Sequence, residues 1–249
     1  MAMYAYKDAA RTVKILARNA QKQDKGNRYY CPNLKCDAHM FIRNIEGVSA
    51  SYFGAIHSQG HINNCPHGAS NGFNPNNYDE DTFEFDNALL ALTMPSKSQT
   101  KKGFFGEHGG GNATASPPRT IRQIYSMCKA HDCSDTYNGV TIGKMLLDNR
   151  SVFMYPKGVF GWRIIEAKCK RPHFYDSAKK ELSLIASTAR EQYTFILKFE
   201  GEELFKEIKN VIFSNREYFT VVAGRWSSSG TFNVFCTTLS SKKQVAIIK

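Results

Sequence analysis

A chain of 249 residues with 42% hydrophobic and 12% aromatic side chains can build one large core or two small ones, which excludes wholesale disorder. Its formal charge of +11 favours a polyanionic partner, and that charge is uneven: residues 1–115 carry 12 Lys and Arg against 10 Asp and Glu, residues 116–249 carry 21 against 12. No apolar run approaches the roughly 20 residues that span a bilayer, the start MAMYAYKDAAR has no apolar signal core, and the seven cysteines suggest no disulfide framework, so a soluble cytoplasmic protein with no membrane partner is expected.

In chain order, the alternation from Thr12 to Ala17 predicts a short strand. The stretch Cys31 to His67 then carries two close pairs of metal-ligating side chains. Cys31 and Cys36 are separated by four residues, and His61 and Cys65 by three, spacings that suit a structural zinc site with Cys31, Cys36, His61 and Cys65 as ligands. Between the pairs, His39 to Arg43 and Val48 to Ile56 are strand-like and Asn44 and Gly47 supply a turn, so a hairpin would bring the pairs together. His39, His57 and His67 compete with His61 for the fourth position, with His57 the first reserve. A cluster of reduced cysteines and surface histidines without metal is the competing reading.

The order YYCPNLKC, YFGA, HINNC resembles the zinc-binding N-terminal module of bacterial CoiA-like competence proteins and related mobile-element proteins, over about the first third of the chain. The first pair here is C-x4-C rather than C-x2-C, and the closing pair is His and Cys rather than two histidines. The resemblance implies a metal-binding module and carries over no catalytic residue.

Beyond this segment, GASNGFNPNNYDEDTFEFDN is rich in turn formers, and Phe83 to Leu92 offers a short apolar element expected to close a zinc-binding domain of residues 1–93. The acidic residues between 79 and 86 read as a solvated face. Residues 94–118, with a Gly triplet at 109–111, read as a flexible linker in which Phe104 and Phe105 are out of character. Ile121, Ile124, Tyr125 and Cys128 share one face of a predicted helix, and Ile142, Met145 and Leu146 place a second at about 140–148. A helix-turn-helix is disfavoured by the long connection.

The remainder reads as strands at 161–170, 182–187 and 193–199, a helix at 202–213, strands at 218–226 and 232–239, and a last extension at 244–248. This β-β-β-α-β-β order suggests an OB-like barrel over residues 119–249. The whole chain is thus expected to be α+β, with a small zinc-ribbon-like N-terminal domain, a linker, two short helices and the barrel.

The function this favours is binding of nucleic acid, single-stranded in preference to duplex, through Lys168, Lys170, Arg171, Phe174, Arg225 and Trp226, with basic groups on phosphates and rings under bases. Trp226 as a core residue is the competing reading. A rival function is a Mg2+-dependent nuclease using Asp148, Glu166 and Lys168, prompted by the nuclease-like domain that accompanies the CoiA-type zinc module. A third is an adaptor that holds a protein partner through the N-terminal domain or the linker.

Overall fold

In the computed structural model, residues 1–47, 50–63, 65–68, 72–94, 115–187 and 193–249 are described. The chain begins with a five-stranded antiparallel sheet made of β1 (Tyr4–Tyr6), β2 (Lys14–Leu16), β3 (Tyr29–Tyr30), β4 (His39–Arg43) and β5 (Tyr52–Ala55), in the order β2-β1-β3-β4-β5. The hairpin expected around Asn44 forms: Asn44 takes a positive φ of 60° and its carbonyl accepts from the Gly47 amide, which reverses the chain between β4 and β5. Val48 and Ser49 lie outside the described residues. Ala2 exchanges both backbone hydrogen bonds with Phe53 at 3.1 and 2.8 Å, so the far edge of the sheet is tied back to the start of the chain. Its core is small, built from Ala5, Ile15, Tyr29, Met40, Ile42 and Phe53 together with Cys31, Cys36 and Cys65.

The second body is larger. Helix α1 (Phe85–Thr93) leads through residues 95–114, which lie outside the described residues and contain most of the expected linker, to helix α2 (Ile121–Ala130). Thr120 caps α2, accepting from the Gln123 amide while the Gln123 side chain accepts from the Thr120 amide. A two-residue hairpin, β6 (Thr136–Tyr137) and β7 (Val140–Thr141), separates α2 from α3 (Ile142–Met145), so the helix-turn-helix alternative is not realised. The predicted helix at 140–148 is one turn only. Leu146 and Leu147 leave it as β8 (Leu146–Leu147), which pairs in parallel with Ile164 and Ile165, because burial of both leucines against the sheet satisfies side chain and backbone together.

From there the chain forms β9 (Gly161–Cys169), β10 (Tyr175–Asp176), β11 (Glu181–Ala186), β12 (Thr194–Phe199), α4 (Glu202–Ser214), β13 (Phe219–Ser228), β14 (Val234–Leu239) and β15 (Val245–Ile248). Strand β9 pairs β11, β11 pairs β12, β12 pairs β14 in parallel, β14 pairs β13, and β13 returns to β9, which closes a five-stranded barrel. Alternation sorts the side chains by face. Ile165, Ala167, Leu182, Leu184, Phe195, Leu197, Val222, Trp226 and Phe235 fill the interior, and Phe205, Ile208 and Ile212 of α4 pack onto the same cluster. Gly224 falls on an interior position where a Cβ would lie 2.4 Å from Thr237 Oγ1, so only glycine lets β13 and β14 approach there.

The opposite parity of β9 and β13 presents Ile164, Val221 and Ala223 outward, where α1 and α2 cover them through Leu89, Leu92, Ile124 and Met127. This moves the expected domain boundary. Phe73, Phe83, Phe85, Leu89 and Leu92, assigned from sequence to a domain ending at residue 93, belong to the cluster that covers the barrel. Trp226 is likewise corrected: it is 2% exposed, packs edge-on to Phe195 and donates its indole N–H to the Arg163 carbonyl at 3.1 Å. It is a core residue and no stacking surface. Trp226→Ala is therefore expected to cost about 3–5 kcal/mol of stability, read as a fall in denaturation midpoint at unchanged denaturant slope.

Candidate metal centre and basic surface

Strand β3 runs directly into Cys31, and the turn that follows is closed by the Cys36 amide donating to Asn33 O at 2.9 Å and the Lys35 amide to Asn33 Oδ1 at 3.1 Å. Arg11 reaches across from the β1–β2 connection and donates to the carbonyls of Cys31 and Cys36, at 3.3 and 3.1 Å, which fixes both ends of this turn. The closing pair is brought in after β5, with the Cys65 amide on Ile62 O and the Asn33 side-chain amide donating to Cys65 Sγ.

The result is that one ligating atom from each of Cys31, Cys36, His61 and Cys65 lies within 4.8 Å of the others, the one such group found among the described residues. Two separations are diagnostic. Cys31 Sγ and Cys65 Sγ are 3.6 Å apart, and Cys36 Sγ lies 3.5 Å from His61 Nδ1. Zinc bonds of about 2.3 Å to sulfur and about 2.0 Å to nitrogen give tetrahedral edges of roughly 3.8 and 3.6 Å. The donor set therefore has the size and chemistry of a metal ion of that class. When protonated, the buried sulfurs share hydrogen: the bond to Cys65, then burial, pushes the Cys31 thiol up, and the same bond pulls the Cys65 thiol down. A divalent cation replaces that shared proton.

The competing histidines lie elsewhere. His39 packs edge-on to Tyr30, His57 is exposed on a short turn, and His67 is buried edge-on to Tyr4.

The acidic pair expected of a nuclease also comes together, with a different partner. Asp148 and Glu166 are buried, and the cation between them is Lys129 of α2, 2.9 Å from Asp148 and 3.0 Å from Glu166. Tyr125 and Ser187 each donate to Glu166 at 2.6 Å, and Arg150 Nε donates to Asp148 at 2.9 Å. Lys168 takes no part: it is exposed, with its ammonium 5.4 Å from the Phe219 ring centroid. The arrangement Asp148, Glu166, Lys168 is thus not formed as a unit, and the carboxylates are occupied by fixed cations. Burial alone would raise the Asp148 pKa, but Arg150 and Lys129 hold it below the ordinary carboxylate range.

Of the residues expected to bind nucleic acid, Lys168, Lys170, Arg171 and Phe174 gather at one end of the barrel. Arg225 is exposed but sits toward the far end of β13, paired with Trp162, about 20 Å along the strand from Phe219 at roughly 3.3 Å per residue. Phe174 is buried and stacks on Phe213, so it supports the surface from beneath. The exposed rings there are Tyr175, Phe213 and Tyr218, at 51%, 52% and 46%. Each has a cation over it: Lys209 on Tyr175 at 5.0 Å, Arg216 on Phe213 at 4.9 Å and Lys249 on Tyr218 at 5.9 Å. Glu217, paired with Arg171, lies among them, and Asp176 follows Tyr175 on β10. Sequence reading passed over Phe213, Arg216 and Tyr218 because it followed the apolar stripe of α4. Phe213 falls outside the stripe Phe205, Ile208, Ile212, and that offset was the available signal.

In comparisons with known proteins, no family profile, curated sequence or solved structure matches this chain.

Two outcomes follow from this geometry. Metal analysis of the purified chain is expected to find one ion per chain; Cys31→Ser or Cys65→Ser should abolish it and lower the melting temperature, whereas His57→Ala should retain it. Acid titration is the second. A depressed Asp148 pKa contributes stability that is complete above the unfolded value of about 3.9 and is lost as pH falls through the folded value, so unfolding free energy should drop below about pH 4, and less so in Asp148→Asn.

Proposed function

We propose that this chain is a zinc-containing nucleic-acid-binding protein that prefers single strands. The zinc-ribbon-like N-terminal sheet is the structural part, held by Cys31, Cys36, His61 and Cys65. The barrel, read as OB-like from its β-β-β-α-β-β order and closed ring, is the binding part. One observation carries the reading: three exposed aromatic rings at one end of the barrel, each beside a basic side chain, with Lys168, Lys170 and Arg171 next to them. Cations follow phosphates, and exposed rings stack on bases only where those bases are unpaired, which is why a single strand fits better than a duplex. The binding set is Lys168, Lys170, Arg171, Tyr175, Lys209, Phe213, Arg216 and Tyr218. A cytoplasmic location belongs to the same proposal; among the described residues no helix is long and apolar enough to cross a membrane.

Fluorescence anisotropy of the full chain with single-stranded and duplex oligonucleotides at two salt concentrations tests this. Single strands should bind more tightly, with affinity falling steeply as salt rises. Tyr175→Ala or Phe213→Ala should weaken binding by about 1–3 kcal/mol without unfolding the protein, while Arg225→Ala should change little. Absence of binding at low salt, or equal affinity in the Lys209→Ala and Arg216→Ala proteins, would sink the proposal.

A further inference from the structure

Beside the metal centre lies a cleft of about 740 Å³, within the size range of small-molecule sites, that the barrel reading does not use. Its wall is formed by β4, β5 and the segment that delivers His61, and its ionisable side chains are Arg43, Tyr52, His57, His61 and His67. No acidic side chain lines it among the described residues. Arg43 and Tyr52 are cross-strand partners, and between their side chains β5 has Gly54, where a Cβ would lie 3.5 Å from the Tyr52 ring and 3.6 Å from Arg43 Cγ. A bare stretch of backbone is thereby flanked by a guanidinium and a phenol ring.

The imidazoles give a second, independent indication. His67 is 3% exposed, and its Nδ1 has no hydrogen-bond partner among the described residues. A buried polar atom without a partner is costly and calls for an explanation, and His67 is among the residues that line the cleft. His61 meets Cys36 Sγ through Nδ1, so with that nitrogen on a metal the second ring nitrogen, Nε2, would be left for another partner. A metal-bound imidazole normally donates from that second nitrogen to an oxygen acceptor. Arg43, exposed and without an acidic partner among the described residues, brings the fork of donors that matches phosphate oxygens.

From this geometry we infer that the cleft binds a nucleoside 5′-phosphate, the phosphate taken by Arg43 with the imidazoles and the base laid against Tyr52. Two sources carry that chemistry, a free nucleotide and the 5′-phosphorylated end of a strand. The inference stands apart from the barrel surface, which lies in the other body of the protein.

Titration calorimetry of the full-length, metal-loaded chain with AMP, adenosine and inorganic phosphate tests it. AMP should bind at least about tenfold more tightly than adenosine, the loss expected for one charge-assisted contact. Arg43→Ala should erase that difference and Arg43→Lys should restore part of it. Tyr52→Ala should weaken AMP and leave inorganic phosphate unchanged. A second arm compares 5′-phosphorylated with 5′-hydroxyl single strands: a preference for the phosphorylated strand that Arg43→Ala removes assigns the cleft to strand ends, and AMP binding without such a preference assigns it to free nucleotide. Equal affinity for AMP and adenosine, or unchanged AMP binding in Arg43→Ala with metal content intact, overturns the inference. Binding of the 5′-hydroxyl strand, which reports the barrel surface, should be the same in Arg43→Ala, so failure of either reading is visible separately.

Discussion

Lys129 carries its ammonium from α2 into a space nearly closed to water, where it meets Asp148 and Glu166 at 2.9 and 3.0 Å. Two carboxylates there demand two cations, and Arg150 is the second. With Tyr125 and Ser187 donating to Glu166, the acceptors are satisfied as well as neutralised. Loss of one member of such a set leaves a buried, uncompensated charge, a cost of about 3–5 kcal/mol. The network therefore sets where α2 lies on the barrel. Arg150 extends it by donating to the carbonyls of Cys128 and His131, where helix α2 has run out of internal donors. From the same helix end, Ala130 O accepts the Met3 amide, and Lys14 pairs with Asp132 just beyond it, so the N-terminal sheet is tied to the barrel through the end of α2.

This division of labour explains why the two kinds of site differ so much. Four ligands from two turns make a closed set, suited to holding a small sheet whose own apolar core is thin. Asp148 and Glu166 are buried under α2 and both pair with Lys129, Asp148 also with Arg150. A second exposed surface lies at the end of the barrel where α4 finishes and β9 and β13 meet.

Much of this was legible from residue order alone. Spacing within the two ligand pairs, and strand-like residues between them, sufficed to bring Cys31, Cys36, His61 and Cys65 together, because both pairs are local and a hairpin is a short-range structure. Strict alternation in Tyr193 to Phe199 and the stripe of α4 marked the barrel elements for the same reason. The larger failures were long-range. Phe85, Leu89 and Leu92 read equally well as the end of one domain or the lid of another, and only the outward parity of Val221 and Ala223 decides it. Lys129 looked like any helix-surface lysine, since nothing local reveals that two carboxylates lie 19 and 37 residues further along the chain. Trp226 beside Arg225 suggested a binding pair, yet neighbours on a strand face opposite sides, so one was bound to be inward.

Hydrogen–deuterium exchange of the intact chain, with and without a saturating single-stranded oligonucleotide, reports which surface meets the strand. Binding at the basic end of the barrel predicts added protection in peptides covering residues 168–176 and 209–219, with none around 225–232. Protection confined to the outer faces of β11, β12 and β14, or no change anywhere under conditions where the metal is retained, would contradict it.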